Sequence, residues 1–183
     1  MGYFNVLKGA YPTLQQIDKT LAMKTGETGI VRGSALYIDN SGSAPEWALA
    51  GAANAGNATT PGAYLYYALQ PQTDLQAAMA GNSGQGAVSA AVGQPRLTGI
   101  SCGMPMEFQT DQYTGTLTAG QQLTVGADGK LVAHATGNTV YGQVTVAAAA
   151  KWVNNAVAVT GWRTGNTVNV ITVRAMYLPQ IAA

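Results

Sequence analysis

Glu107 and Asp111, two carboxylates four residues apart, and the single histidine, His134, are where a catalytic reading of this chain begins. His134 is its one conventional imidazole base, and Cys102, in Ile-Ser-Cys-Gly-Met-Pro, is its one thiol. A serine or cysteine nucleophile needs a base and an orienting acid beside it. Neither Cys102 nor His134 sits in a nucleophile motif, so they read as a small buried thiol in a strand and a surface imidazole on a hairpin. Glu107 and Asp111 lie in a β pattern, where side chains four apart need not converge. Asp39 and Glu46 flank a loop, and glycoside hydrolysis needs set carboxylate separations that no sequence supplies. These acids read as solvated or capping groups.

Phosphate and metal chemistry fare no better. The stretch GQGAVS (84–89) begins like a dinucleotide fingerprint, but Ser89 stands where the third glycine belongs, and no strand precedes it in a βαβ unit. There is no Walker A sequence and no EF-hand loop. One thiol gives no internal disulfide or cysteine zinc site, and one imidazole gives no site built from several histidines. The Asn57-Ala58-Thr59 triplet has meaning only in a secreted chain. No catalytic, cofactor or metal residue is assigned, and the chain reads as a non-enzyme without a cofactor.

The aromatic residues remain. Tyr64, Tyr66 and Tyr67 share one stretch, and Tyr113, Tyr141, Tyr177, Trp152 and Trp162 fall in others. Core packing is their default use, because β strands are enriched in aromatics. Beyond that they could form a sugar- or base-stacking platform or an interface hot spot. The low charge of the chain favours a protein interface. The interface candidates are Tyr3, Phe4, Tyr11, Leu14, Tyr64, Tyr66, Trp152 and Trp162.

The elements that must position these residues come from a chain of 183 residues, enough for one ordinary domain with a core. Apolar residues make up 47% and charged residues only 9%, against about 25% in a typical soluble domain. A surface so poor in charge suits a chain packed against partners. The net charge is +1, with the nine Lys and Arg scattered. No basic run marks a nucleic-acid site and no acidic tail is present. The start, MGYFNVLKGAYP, lacks the apolar run of a signal peptide, and no stretch approaches the roughly 18 apolar residues of a membrane span. The expectation is a protein folded in a cytoplasm, with no membrane partner.

Pro12, with Leu14, Ile17 and Leu21 on one face and Gly26 as a stop, predicts a helix, with an extended arm docking on a neighbour as the rival. From Gly29 the pattern turns to β. Strands are predicted over 34–39, 47–50 and 63–70, the last apolar on both faces. A capping-box spacing of Thr73 and Gln76 predicts a short helix over 73–81, and 82–94 reads as a flexible loop. After Pro95 strands are predicted over 97–101, 106–110, 114–118, 121–125, 130–134, 138–146, 152–160 and 167–178. Asp128-Gly129 and Gly165-Asn166 are hairpin signals. Residues 28–42 and 114–129 share a faint internal echo.

The expected fold is therefore all-β, with one or two short helices: a β-barrel or β-sandwich with Gly-rich hairpins and an N-terminal arm. The expected organisation is an arm or helix over 1–26 and one β-rich domain over 27–183, divisible into two related lobes (27–81 and 95–183) joined by the loop 82–94.

The stretch TLTAGQQLTVGADGKLVAHATGNTVYGQVTVAA carries a rhythm set by Gly120, Leu123, Asp128, Gly129, Leu131, Ala135, Gly137, Gly142 and Val144. It resembles the head decoration (cement) proteins of tailed bacteriophages, most clearly over 114–149 and more faintly over 29–70. The resemblance implies a small β-barrel that binds the major capsid protein on the outer surface of the virion, as a homo-oligomer (dimer or trimer), and braces the shell. It implies synthesis in the host cytoplasm and no direct contact with nucleic acid. The chain is longer than the smallest such proteins, and the resemblance leaves 72–94 unexplained. Two alternatives stay open: another phage structural subunit (fibre, tail or baseplate part), and a β-barrel carbohydrate-binding module using the tyrosines and tryptophans.

Overall fold

A computed structural model describes residues 4–8, 18–71, 96–101, 106–154 and 165–180. The chain is all-β. Its strands are β1 (Phe4–Lys8), β2 (Asp18–Met23), β3 (Ala35–Asp39), β4 (Glu46–Leu49), β5 (Tyr66–Pro71), β6 (Arg96–Ile100), β7 (Glu107–Thr110), β8 (Gln122–Val125), β9 (Leu131–Ala133), β10 (Val140–Asn154) and β11 (Gly165–Leu178). They form a closed five-stranded barrel, β2-β4-β3-β5-β6, and a six-stranded sheet, β1-β7-β11-β10-β8-β9. Within the barrel the β2–β4 pair is parallel and the other pairs are antiparallel.

The period-2 alternation of a strand explains how one set of residues builds two cores. Along β3, Leu36 and Ile38 belong to a cluster inside the barrel, while Ala35 and Tyr37 belong to a larger cluster beneath the sheet. Along β5, Tyr66 and Ala68 point the first way and Tyr67 the second. The barrel interior closes around Trp47, whose Nε1 donates to Leu97 O at 2.9 Å. Gly99 is the close approach that admits this ring: a Cβ there would lie 2.7 Å from Trp47. The larger cluster joins barrel to sheet. Phe4, Phe108 and Tyr67 interlock with ring centroids 4.8–5.3 Å apart, among Leu123, Val125, Leu131, Val144, Ile171 and Val173. The reading of 63–70 as apolar on both faces fits this dual role, although the strand itself begins at Tyr66.

The β8–β9 hairpin turns where Asp128-Gly129 predicted it. Asp128 (φ 56°, ψ 34°) and Gly129 (φ 65°) both take left-handed conformations, and Lys130 N donates to Ala127 O at 3.1 Å. This is the primed turn that matches the twist of the flanking strands. Gly129 N also donates to Ala50 O at 2.8 Å, which pins the hairpin tip to the barrel.

Several expectations differ from the structure. The predicted helix fails over Asp18–Met23, which is a strand paired with both β6 and β4. Its Leu21 and Met23 alternate into the barrel cluster, so tertiary pairing overrides a weak helical spacing. Phe4–Lys8 pairs with β7 of the same chain and buries Phe4. No strand forms over 114–118. Gly165 and Asn166 make no turn, because they pair with Asn154 and Val153 inside the β10–β11 ladder. The predicted helix over 73–81 and the loop 82–94 lie outside the described residues.

Candidate interaction surfaces

Three surface features combine exposure with a built structure. The first is an aromatic edge. Tyr66 meets Trp47 in a tilted pair at 4.9 Å, Tyr64 meets Tyr66 at 5.4 Å, Tyr177 meets Tyr64 at 5.7 Å, and Tyr141 meets Tyr177 at 6.0 Å. The ladder thus runs from the barrel interior to the surface. Tyr64 and Tyr177 are 44% and 38% exposed, and Leu178 beside them is 37% exposed. Backbone and hydroxyl contacts fix the rings. Tyr64 Oη lies 2.6 Å from Ser101 Oγ, and Tyr177 Oη donates to Gly62 O at 2.8 Å. Tyr141 is buried, and its hydroxyl is shared between Ala63 O (2.7 Å) and Asn54 O (3.0 Å). Burial pushes the Tyr141 phenol well above the usual tyrosine range, with the neighbouring Tyr177 adding to the effect.

The second feature is a two-stranded ribbon. β10 pairs with β8 at Gly142 and Gln143, and β11 pairs with β7 over Ile171–Arg174. Val144 also accepts from Gly120 N at 2.8 Å and donates to Gln121 O at 2.9 Å; from Val146 the ladder of β10 with β11 continues out to Asn154 and Gly165. Their register slips between Val144 and Val146 and again between Val146 and Ala149. Such bulges bend and twist a strand pair. Val146 is 53% exposed and the four alanines after it are exposed as well. Lys151 donates to Gln109 Oε1 on β7, which ties the ribbon back to the sheet.

The third feature is a cleft of about 610 Å³ at the seam of barrel and sheet. Thr28, Gly29 and Leu49 wall it from the barrel, and Asp111, Tyr113 and Lys130 from the sheet side. Tyr113 is half-buried against the central cluster, and burial together with Asp111 holds its phenol proton more tightly than usual.

The interface candidates scatter. Tyr64 is exposed, whereas Phe4 and Tyr66 are core residues at 1% and 6% exposure. Tyr3, Tyr11, Leu14 and Trp162 lie outside the described residues, and for Trp152 only the backbone, opposite Thr167, is described. Tyr177 joins Tyr64 through tertiary contact alone. Its spacing of 113 residues from Tyr64 carried no signal beyond its being aromatic.

The groups with chemical potential stay apart. His134 Nε2 lies 2.8 Å from Asn138 O in its own hairpin. Glu107 pairs with Arg174 at 3.3 Å, and Asp111 Oδ1 accepts from Gln112 Nε2 at 2.7 Å. Asp39 pairs with Lys24, and that contact, helped by Ser41 N, holds its carboxyl down at about 2. Among the described residues no group of three metal-ligating side chains gathers, and no helix is long and apolar enough to cross a membrane. Cys102 lies outside the described residues. Compared with known protein families, curated proteins and solved structures, the chain matches none of them.

Proposed function

We propose that the chain is a structural virion protein that decorates the outer surface of a tailed-phage capsid by binding the major capsid protein lattice, acting as a homo-oligomer. The observation that carries this reading is residues 146–150 of β10, where Val146 and four small alanines are exposed and, among the described residues, the backbone ladders with β11 alone. An unpaired strand edge is a template for another chain. Small side chains let that chain approach closely. Low charge supports the same reading, because many weak neutral contacts repeated over a symmetric lattice give avidity that salt screens little.

The test is co-sedimentation of the purified chain with capsids stripped of decoration, in low and high salt, beside light scattering of the free protein. Saturable binding at a fixed copy number that survives salt is the expected outcome. Ala148→Glu, which places a charge on the exposed ribbon, is expected to weaken binding by about tenfold or more while leaving the unfolding midpoint nearly unchanged. Absence of binding to every maturation state of the capsid overturns the reading.

A further inference from the structure

We propose that the cleft at the seam of barrel and sheet binds a saccharide, with Tyr113 as the stacking platform and Asp128, Lys130 and Asp111 as its hydrogen-bonding groups. The site is separate from the ribbon, so the inference does not depend on the capsid reading.

The cleft has the size and the place of a ligand site. Its volume of about 610 Å³ falls within the roughly 300–1,000 Å³ usual for small-ligand pockets, which favour the junctions between structural units. Its walls come from two units that the shared core locks together.

Its parts are held rigid. Tyr113 bridges to Leu131 in parallel, Thr114 N donates to Leu131 O at 2.9 Å, and Leu131 N donates to Gln112 O at 3.0 Å. The backbone on both sides of the Tyr113 ring is therefore fixed. Asp128 stands at the hairpin turn, whose next residue, Gly129, is bonded to Ala50 of the barrel. A site built on fixed backbone loses little entropy when it binds.

The lining selects the chemistry. Among the described residues the Asp128 carboxylate and the Lys130 ammonium make no hydrogen bond or ion pair, with each other or with a third group. One only accepts and the other only donates. A hydroxyl does both, so neighbouring hydroxyls on one ring can satisfy the two together. An apolar ligand would gain nothing from either charge. Two carboxylates oppose an anion such as a phosphate, and Lys130 opposes a strongly cationic ligand. The half-buried Tyr113 adds an aromatic surface suited to the apolar C–H face of a pyranose. An uncharged polyol ring with one apolar face satisfies all of these groups.

The experiment is amide chemical-shift titration of the full chain with glucose, galactose, mannose and N-acetylglucosamine, beside an array of immobilised glycans. At least one sugar is expected to give saturable shifts at Gly29, Tyr113, Asp128 and Lys130. Asp128→Asn keeps a residue that tolerates the left-handed turn, and it is expected to weaken binding by about tenfold. Tyr113→Ala removes the platform and is expected to abolish binding. Because Tyr113 also packs on the core, its thermal unfolding is measured alongside, and Asp128→Asn with Lys130→Gln carries the test if the alanine variant fails to fold. Three results overturn the proposal: no saturable shift with any sugar and no array signal, binding unaffected by the Asp128 and Lys130 variants, or shifts that map to Tyr64 and Tyr177 instead. Capsid co-sedimentation of Asp128→Asn is expected to stay at the wild-type level, which separates the two readings.

Discussion

In the barrel, the strands between Asp18 and Ile100 close on one another in a ring; in the sheet, β10 and β11 run on past β8 and β7, their neighbours among the described strands. The two regions use the same residue types, small and β-branched with scattered aromatics. They differ in how strand edges end. Closure removes edges, and with them the template for pairing. The barrel then serves as an anchor, with Trp47 sealed inside it at 0% exposure. In the sheet's longest pair of strands, residues 146–150 ladder, among the described residues, with β11 alone, and there the exposed alanines fall. One chain thus separates the part that holds the fold from the part that is free to be touched.

The sharpest way to break that division is Trp47→Ala. It opens a cavity in the barrel and leaves Leu97 O without its donor, with an expected loss of about 3–5 kcal/mol. Urea unfolding followed by tyrosine fluorescence and by far-ultraviolet circular dichroism checks it. Coincident transitions mean that the sheet falls with the barrel, as the shared cluster of Phe4, Tyr67 and Phe108 implies.

Gly129→Ala attacks the joint itself. A Cβ there would sit 2.8 Å from Ala35 O, on a backbone at φ 65°. The expected loss is about 2–4 kcal/mol. Two separate melting steps in calorimetry would show that the hairpin tip, rather than the core, couples the regions.

Tyr141→Phe is milder. It removes the hydroxyl contact with Ala63 O and costs about 1–2 kcal/mol. It also reports on alkali. The fold favours the neutral phenol of Tyr141, so this contribution is complete below the ordinary value of 10.0 and is lost as pH rises above it. The wild type is expected to lose stability above pH 10 more steeply than the phenylalanine variant.

The smallest effect belongs to Asp39→Asn at the barrel rim. The fold favours the carboxylate, so its contribution is complete above 3.8 and fades as pH falls toward about 2. The pair with Lys24 is exposed and screened by salt. A difference between variant and wild type is expected only in low salt, as a slightly shallower acid limb in the variant's melting temperature.

The sequence carried most of the local structure. The β pattern located β3, β4, β6, β7, β8, β9, the first half of β10 and most of β11, because a half-buried strand repeats every two residues, but it read 147–151 as a break where β10 runs on to Asn154. Asp128-Gly129 located its hairpin, because those residues tolerate left-handed backbone. Gly165-Asn166 carried the same kind of signal, but the ladder with Asn154 and Val153 claimed it. Leu21 lay in a helical spacing, and pairing with β6 and β4 made it a strand residue. The candidate sites were less legible. Tyr64 was visible as an aromatic in a strand, but its exposure, and its meeting with Tyr177, were not.

What the sequence determined by itself was composition and period: an all-β chain, poor in charge, turning at glycines. Those are short-range properties, set by sterics and side-chain polarity within a few residues. The tertiary structure alone decided which strands close into a barrel, which run on as a ribbon, and which side chains from residues 28 and 130 face one cleft. These depend on pairings between residues far apart in the chain, where many registers satisfy the same alternation and only the packing of both faces selects one.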